Sequence, residues 1–442
     1  MADATDIGRR PFGDTLQALL ESLNLLDSTR FLVAVAILVC VLVTLEPFRD
    51  LRSAVEAGAP DGRMAVTYLC FGALAAITVL LSARENVPAL KTLWTPLHLC
   101  FVLWMVANIA FSENPGVSLQ RFALAATVTS LAIMMPLLLP TQKGFNQCLG
   151  VAAIILLALC YLGIMIVPEL SIHGAADFGE PSLAGDWRGT FAHKNVAAPV
   201  MTMLLYLGLY LTVSGGFVAG PAIVVLAGAF LAFTGGKTST ALCLVMFALA
   251  LLVSGTRSLW LKRILCYAPL MVLNLLTVGS VASPSLASLT KQLPVDSSFT
   301  GRTDIWEFAL AAVGEKPITG HGFAAFWDSD NVIARQTNFG AEWAVTAAHS
   351  HNSYLDLAVT TGLPGLVFVV LVFVFAPLKN FHVIQAEGRN GALPKFFLTI
   401  WLFGLYYGIT ETFLLDRQNP TWFMFALAVG GLHFLARFPV RE

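Results

Sequence analysis

Long apolar stretches alternate with short polar ones along almost the whole chain. No charged residue occurs between Arg63 and Arg84, Lys91 and Glu113, Arg121 and Lys143, Lys143 and Glu169, Lys194 and Lys237, Arg263 and Lys291, Asp356 and Lys379, or Arg417 and Arg437. A helix that crosses a bilayer takes about 20 apolar residues, so most of these gaps hold one span. The gap from Lys194 to Lys237 holds two, broken at Ser214-Gly215-Gly216 and Gly220-Pro221. With the shorter runs Phe31–Leu45 and Phe396–Ile409, the pattern predicts about twelve transmembrane helices. They fall near residues 29–48, 64–82, 93–111, 122–139, 148–167, 196–213, 218–234, 238–254, 264–282, 354–376, 396–414 and 421–436. The stretch PFGDTLQALLESLNLLD (11–27) reads as a short amphipathic helix lying at the interface.

Composition agrees. Of 442 residues only 12% are charged, 57% are hydrophobic, and mean hydropathy is +0.75. A soluble domain carries about 25% charged residues to cover its surface. A soluble enzyme, a disordered chain and a disulfide-rich secreted domain are excluded; the fold class is an all-α, polytopic integral membrane protein. The net charge of -1 gives no basis for a nucleic-acid partner. The seven cysteines lie in or beside apolar runs without a C-x-x-C spacing, and read as small buried hydrophobes. The start, MADATDIGRRPFGD, has no apolar core segment, so a cleaved signal peptide is not expected.

Only residues 168–195 and 283–353 form substantial connections. The chain therefore divides into an N-terminal segment (1–28), nine spans with an external loop (29–282, loop 168–195), a large loop subdomain (283–353), and three spans with the C-terminus (354–442). Lys and Arg in the short loops favour both termini in the cytoplasm, with Arg49, Arg52 and Arg63 on the wrong side. Both large loops then share the outer face. The second contains Trp306, Phe308, Phe323, Phe326, Trp327, Phe339 and Trp343, the aromatic density of a packed subdomain. Its TDIWEFALAAV reads as a helix with Thr303 as N-cap.

Four polar clusters end up on that face, where polar groups next to a membrane are functional suspects. GDWRGTFAHKN (185–195) holds Arg188, His193 and Lys194. TGGKTST (234–240) holds Lys237; the phosphate-binding pattern G-x-x-x-x-G-K-[ST] fails there because its first glycine would be Leu231. GRTDIW (301–306) places Arg302 at a helix start, good chemistry for a phosphate, and is followed by PITGHGF (317–323) with His321. HSHNSYLD (349–356) holds His349, His351, Asn352 and Asp356, followed by GLPG (362–365). Two histidines at i and i+2 invite a metal reading, but no H-E-x-x-H spacing or cysteine ligand accompanies them. A general base that titrates near neutral pH fits better.

The order GRTDIW, PITGHGF, HSHNSYLDLAVTTGLPGL, then an apolar span, resembles the bacterial O-antigen ligase and Wzy-type polymerase superfamily. With EPFRDL (46–51), WRGTFAHKN and GGKTST, the chain is most similar to exopolysaccharide polymerases of the ExoQ type. The resemblance implies a glycosyltransferase of the bacterial inner membrane, active at the periplasmic face. Its donor would be an undecaprenyl-diphosphate-linked glycan, its acceptor a glycan hydroxyl, and its surroundings membrane lipid. A chain-length regulator and a flippase are the expected partner proteins, and no metal or other cofactor is expected. Carried onto this sequence, the histidine of the H-N motif is His351 and the loop arginine is Arg302. A motif that often reads Ser-Arg is here Gly236-Lys237. The expected assignments are His351 and Arg302 as catalytic residues, and Arg188, Lys237, Arg302 and Lys194 around the diphosphate. His349, His321, His193 and Asn352 support them, with His349 or Asp356 orienting His351. Trp187, Trp306, Phe326, Trp327 and Trp343 are expected to stack on sugar. Polymerase and ligase remain alternatives, with a polysaccharide transporter or flippase as the rival class.

Overall fold

The computed structural model describes residues 12–51, 63–139, 141–177, 181–292, 299, 301–327, 329, 332 and 347–439. The described residues are helical apart from loops and one isolated bridge between Ile172 and Trp187. We number the principal helices α1 (Phe12–Leu42), α2 (Arg63–Lys91), α3 (Pro96–Ala110), α4 (Pro115–Leu138), α5 (Gln142–Ile166), α6 (Lys194–Val213), α7 (Ala219–Phe233), α8 (Lys237–Gly255), α9 (Leu259–Leu276), α10 (Arg302–Glu315), α11 (Ser353–Ala386), α12 (Ala392–Tyr407) and α13 (Pro420–Leu435). Eight of these are long and apolar enough to cross a membrane: α2, α4, α5, α6, α8, α9, α11 and the Leu25–Leu42 part of α1. Helices α3, α7, α12 and α13 are apolar but shorter. Each predicted span thus falls on a helix, and the chain is a polytopic membrane protein.

Helix ends follow capping chemistry. Thr95, Asn114, Thr141 and Asn352 each accept a first-turn N–H with a side-chain oxygen, and Pro96, Pro115 and Pro420 occupy first helical positions. Two boundaries differ from expectation. Residues 12–27 do not form a separate helix; from Phe12 the helix runs into the first span without a break. The loop helix starts before Thr303: Gly301, at φ 82°, is its N-cap and Arg302 its first residue. A left-handed cap favours glycine, and that turn aims Arg302 out of the helix start.

Helices α12 and α13 are buried along nearly their whole length and form the axis of the bundle. α4 and α6 pack on α13, and α6 and α8 on α12. Large apolar side chains such as Leu69, Leu80, Leu103, Leu244, Leu252 and Met271 point outward from α2, α3, α8 and α9. That inside-out pattern suits lipid as the surrounding medium. The described part of the large loop has its own apolar core, in which Ile305, Trp306, Phe308, Phe326 and Trp327 pack on Leu355 and Val359 of α11.

Helix α11 is broken at Gly362, whose φ of 72° and ψ of 173° are non-helical. The segment 317–323 crosses the break. The His321 and Gly322 N–H groups donate to Val359 O and Thr360 O, and the Leu363 N–H donates to Pro317 O. PITGHGF and GLPG, widely separated as motifs, are therefore the two halves of one joint.

Candidate active site

The N-terminus of α11 is docked on the loop that follows α12. The Ser353 N–H donates to Gly408 O, Ser353 Oγ donates to Glu411 O, and Asn352 Nδ2 donates to Ile409 O. Asn352 is fully buried, and its Oδ1 caps α11 by accepting from Tyr354 and Leu355 N–H. Helix α10 is tied to the same place: Trp306 Nε1 donates to Ser350 O at 3.0 Å. Arg302, one turn earlier on the same helix face, then reaches Glu411.

Glu411 is the centre of the site. Its Oε1 accepts from Arg302 Nη2 at 2.6 Å and from Asn195 Nδ2 at 3.3 Å, and its Oε2 lies 3.0 Å from His351 Nδ1. Arg302 Nη1 also donates to Thr410 O at 2.5 Å. A guanidinium has five N–H donors, so three remain beyond these two bonds. The rings of His349 and His351 lie 4.2 Å apart, and His349 Nδ1 accepts the His351 N–H. His351 sits at φ 50°, a sparsely populated backbone region of the kind found at functional sites. The side chains of Arg302, His351 and Glu411 keep 20%, 21% and 12% of their exposure, so a ligand can reach them.

Burial alone would raise the Glu411 pKa. The hydrogen bond from His351 and the charges of Arg302, His351 and His349 outweigh it and hold the carboxyl at about 2. His349 is pushed down to about 4 by burial first, then by the charge of His351 and, further down, those of Arg302 and His193, against the opposing pull of Glu411. A carboxylate held ionised against a ring Nδ1 favours the proton on that nitrogen and leaves Nε2 with its lone pair.

Both shifts weaken the fold in acid. An unfolded His349 gains its proton near 6.5, but the folded ring resists it down to about 4, so stability is full above 6.5 and falls between those values. The contribution of Glu411 is full above its ordinary 4.5 and is lost as pH falls towards 2. Thermal unfolding of the solubilised protein should show a midpoint that drops from pH 7 to pH 4. His349→Gln should flatten the upper part of that drop; an unchanged slope would reject the assignment.

Of the expected residues, the structure brings together Arg302, His351, His349 and Asn352. Glu411, the acid that unites them, was not among them. Its sequence signal was an acidic residue inside the predicted span 396–414, where a charge calls for a partner. His193 Nδ1 accepts from Asn195 N–H at the start of α6, next to Glu411's amide partner. Lys194 and Lys237 lie in an adjoining cluster: Lys194 Nζ pairs with Asp186 at 2.5 Å, and Asp186 packs on Gly235, two residues before Lys237.

Other expectations are corrected. Arg188 is wholly buried, and its guanidinium donates to Phe191 O and Arg49 O; it holds two loops together and presents no exposed face. His321 is also wholly buried, with Nδ1 on Glu113 and Nε2 on Ala312 O, so it belongs to the α11 joint. Asp356 accepts from Trp327 Nε1 and Ser350 N–H, so it shapes the loop and Glu411 contacts His351 in its place. Trp306, Phe326 and Trp327 are core residues, and Trp187 stacks on Phe233 at 4.3 Å. The first three are buried and present no face to sugar, while Trp187 is half-buried with one face on Phe233. Trp343 lies outside the described residues.

Among the described residues, His349, His351 and Glu411 alone form a set that could hold a metal, with ligand atoms within 4.8 Å of one another. Glu411 Oε2 already faces His351 Nδ1, so a metal held by that pair would have to take the place of the proton between them.

A histidine–carboxylate–arginine cluster thus stands at the end of a membrane helix bundle. Residues 222–370 match the family model described as Wzy_C, O-Antigen ligase. The chain is 29% identical over 98 residues to "Exopolysaccharide production protein ExoQ" of Rhizobium meliloti (strain 1021), covering 22% of each chain. It is 27% identical over 144 residues to "Putative polysaccharide ligase" of Rickettsia felis, covering 31% of this chain and 35% of that one. It is 28% identical over 143 residues to an "Uncharacterized protein" of Haemophilus influenzae, covering 32% and 33%. The matches thus span about a fifth to a third of these relatives' own lengths. Over these segments the chain is similar to O-antigen ligase and ExoQ-type proteins. The matched family region contains Lys237, Arg302, His349 and His351, and ends before Glu411.

Proposed function

We propose that this protein is an inner-membrane glycosyltransferase that moves a glycan from an undecaprenyl-diphosphate donor to a sugar hydroxyl at the periplasmic face. In this reading it polymerises exopolysaccharide or O-antigen repeat units. The observation that carries the reading is Glu411 bridging Arg302 and His351. His351 Nε2 takes the proton of the acceptor hydroxyl as that oxygen attacks the anomeric carbon. The bond from that carbon to the diphosphate breaks, and the lipid diphosphate leaves with the electron pair. The remaining N–H groups of Arg302, with Lys237 and Lys194 from the adjoining cluster, meet the charge that develops there.

Deleting the gene should abolish long surface or secreted polymer while leaving the lipopolysaccharide core intact. The description of the matching family favours a second reading, ligation of finished polysaccharide to lipid A-core, in which deletion leaves polymer present but unattached.

Two further results are expected. Arg302→Lys should restore only part of the turnover lost in Arg302→Ala, because a planar fork meets two oxygens and an ammonium does not; full activity of the lysine variant would remove Arg302 from the diphosphate. Transfer by the purified protein should survive excess chelator, since fixed cations can neutralise the leaving group; loss that added divalent metal rescues would instead assign a metal to His349, His351 and Glu411.

A further inference from the structure

A cavity of about 250 Å³ lies between the C-terminal end of α1, the N-terminal parts of α2, α6 and α13, and the middle of α4. Two short segments connect it with the active site. In the first, Asn195 bonds to Glu411 while Phe191, Ala192 and Val196 line the cavity. In the second, Glu411 faces His351 while Asp416 to Asn419 form the cavity rim. Between those two functions stands Leu415 at φ 60°. A branched, bulky residue is a rare occupant of the left-handed region. The turn it makes sends one end of the loop to the catalytic cluster and the other to the cavity.

The chemistry of the lining selects its occupant. Glu46, Arg49, Asp416, Arg417, Gln418 and Asn419 gather at the rim, and Phe71 and Phe191 lie among the apolar walls. The two carboxylates and the two guanidinium groups balance, so the rim offers no surplus of positive charge to a diphosphate. Carboxylates, amides and guanidinium groups side by side suit a neutral polyol, whose hydroxyls both donate and accept. The volume holds roughly one or two sugar rings, small by the standard of ligand pockets of about 300–1,000 Å³.

We propose that this cavity is the acceptor subsite: it holds the terminal sugar of the acceptor glycan and turns one hydroxyl towards His351, apart from the donor diphosphate at Arg302. The proposal rests on the glycosyltransferase reading above and adds where the acceptor sits.

The test uses the full-length protein in lipid nanodiscs and two probes. One is the repeat-unit oligosaccharide freed by mild acid from the host's lipid-linked intermediate; the other is undecaprenyl diphosphate. Wild type should bind both. Glu46→Ala and Gln418→Ala should each weaken oligosaccharide binding about tenfold, the effect of losing a hydrogen bond to a charged or buried polar group. Binding of undecaprenyl diphosphate should stay within about twofold of wild type. Ala192→Trp, which fills the cavity from an exposed small residue and removes no polar group, should also abolish oligosaccharide binding alone. Arg302→Ala should do the reverse and lower lipid binding. Oligosaccharide binding that survives both Ala192→Trp and Glu46→Ala would overturn the subsite while leaving the transfer reading intact. So would loss of the lipid probe in the cavity variants. A wild type that binds neither probe would overturn both.

Discussion

Replacing His351 with alanine is expected to abolish polymer in cells while protein level and membrane insertion stay unchanged. Removing a general base typically costs about 10²- to 10⁴-fold in rate. The structure adds a control that separates chemistry from architecture. His351 sits at φ 50°, a conformation that asparagine adopts readily. His351→Asn should therefore keep the backbone turn and a hydrogen-bonding group near Glu411 but have no basic nitrogen. It should fold like wild type, with an unchanged thermal midpoint, and be about as inactive as the alanine variant. Polymer of near-normal length in His351→Asn would make the residue a positioning element. Near-normal polymer in His351→Ala would move the search for the base to His349.

The second large effect is expected at Glu411. One carboxylate holds both the arginine and the histidine, and it lies 12% exposed. Removing one partner of a buried, hydrogen-bonded charge set costs several kcal/mol, because the other charges stay behind unpaired. Glu411→Ala should lower transfer at least as far as His351→Ala and also depress the thermal midpoint. Glu411→Gln is the sharper variant. It keeps the size and one acceptor oxygen for Arg302, but removes the charge that favours the His351 proton on Nδ1. Turnover should fall about 10²-fold, and the pH–rate profile should shift, with donor KM changed much less than kcat. A Glu411→Gln enzyme with wild-type kcat and pH profile would reduce Glu411 to a structural strut.

The helices were readable in the sequence because a membrane span must satisfy its own backbone, which forces about 20 apolar residues into an unmistakable block. Arg302 and His351 were readable because they stand in dense polar motifs between such blocks. Glu411 was hidden by the same logic: a lone acid in GITETFLL adds little to a window dominated by apolar residues, and only three-dimensional docking of α11 on the α12 loop shows what it pairs with. Arg188 misled for the opposite reason. Its motif is as polar as the others, but Phe191 O and Arg49 O are carbonyls, and no side-chain pattern encodes a backbone acceptor. The tryptophans misled similarly, since core and sugar platform ask for the same residue type.

The break in α11 has a consequence for how the protein is made. Around Gly362 the helix cannot satisfy its own backbone, and the missing partners come from elsewhere: His321 and Gly322 for Val359 O and Thr360 O, Trp104 Nε1 for Thr361 O, and Pro317 O for the Leu363 N–H. Exposed to hydrocarbon, such groups cost several kcal/mol each. The span emerging from the translocon is therefore unfinished on its own. It is completed only when the stretch 317–323 folds back against it and α3 closes from the other side. Insertion of this span and folding of the large loop are one event, so a lesion in PITGHGF should be met by membrane quality control before it is ever met by substrate.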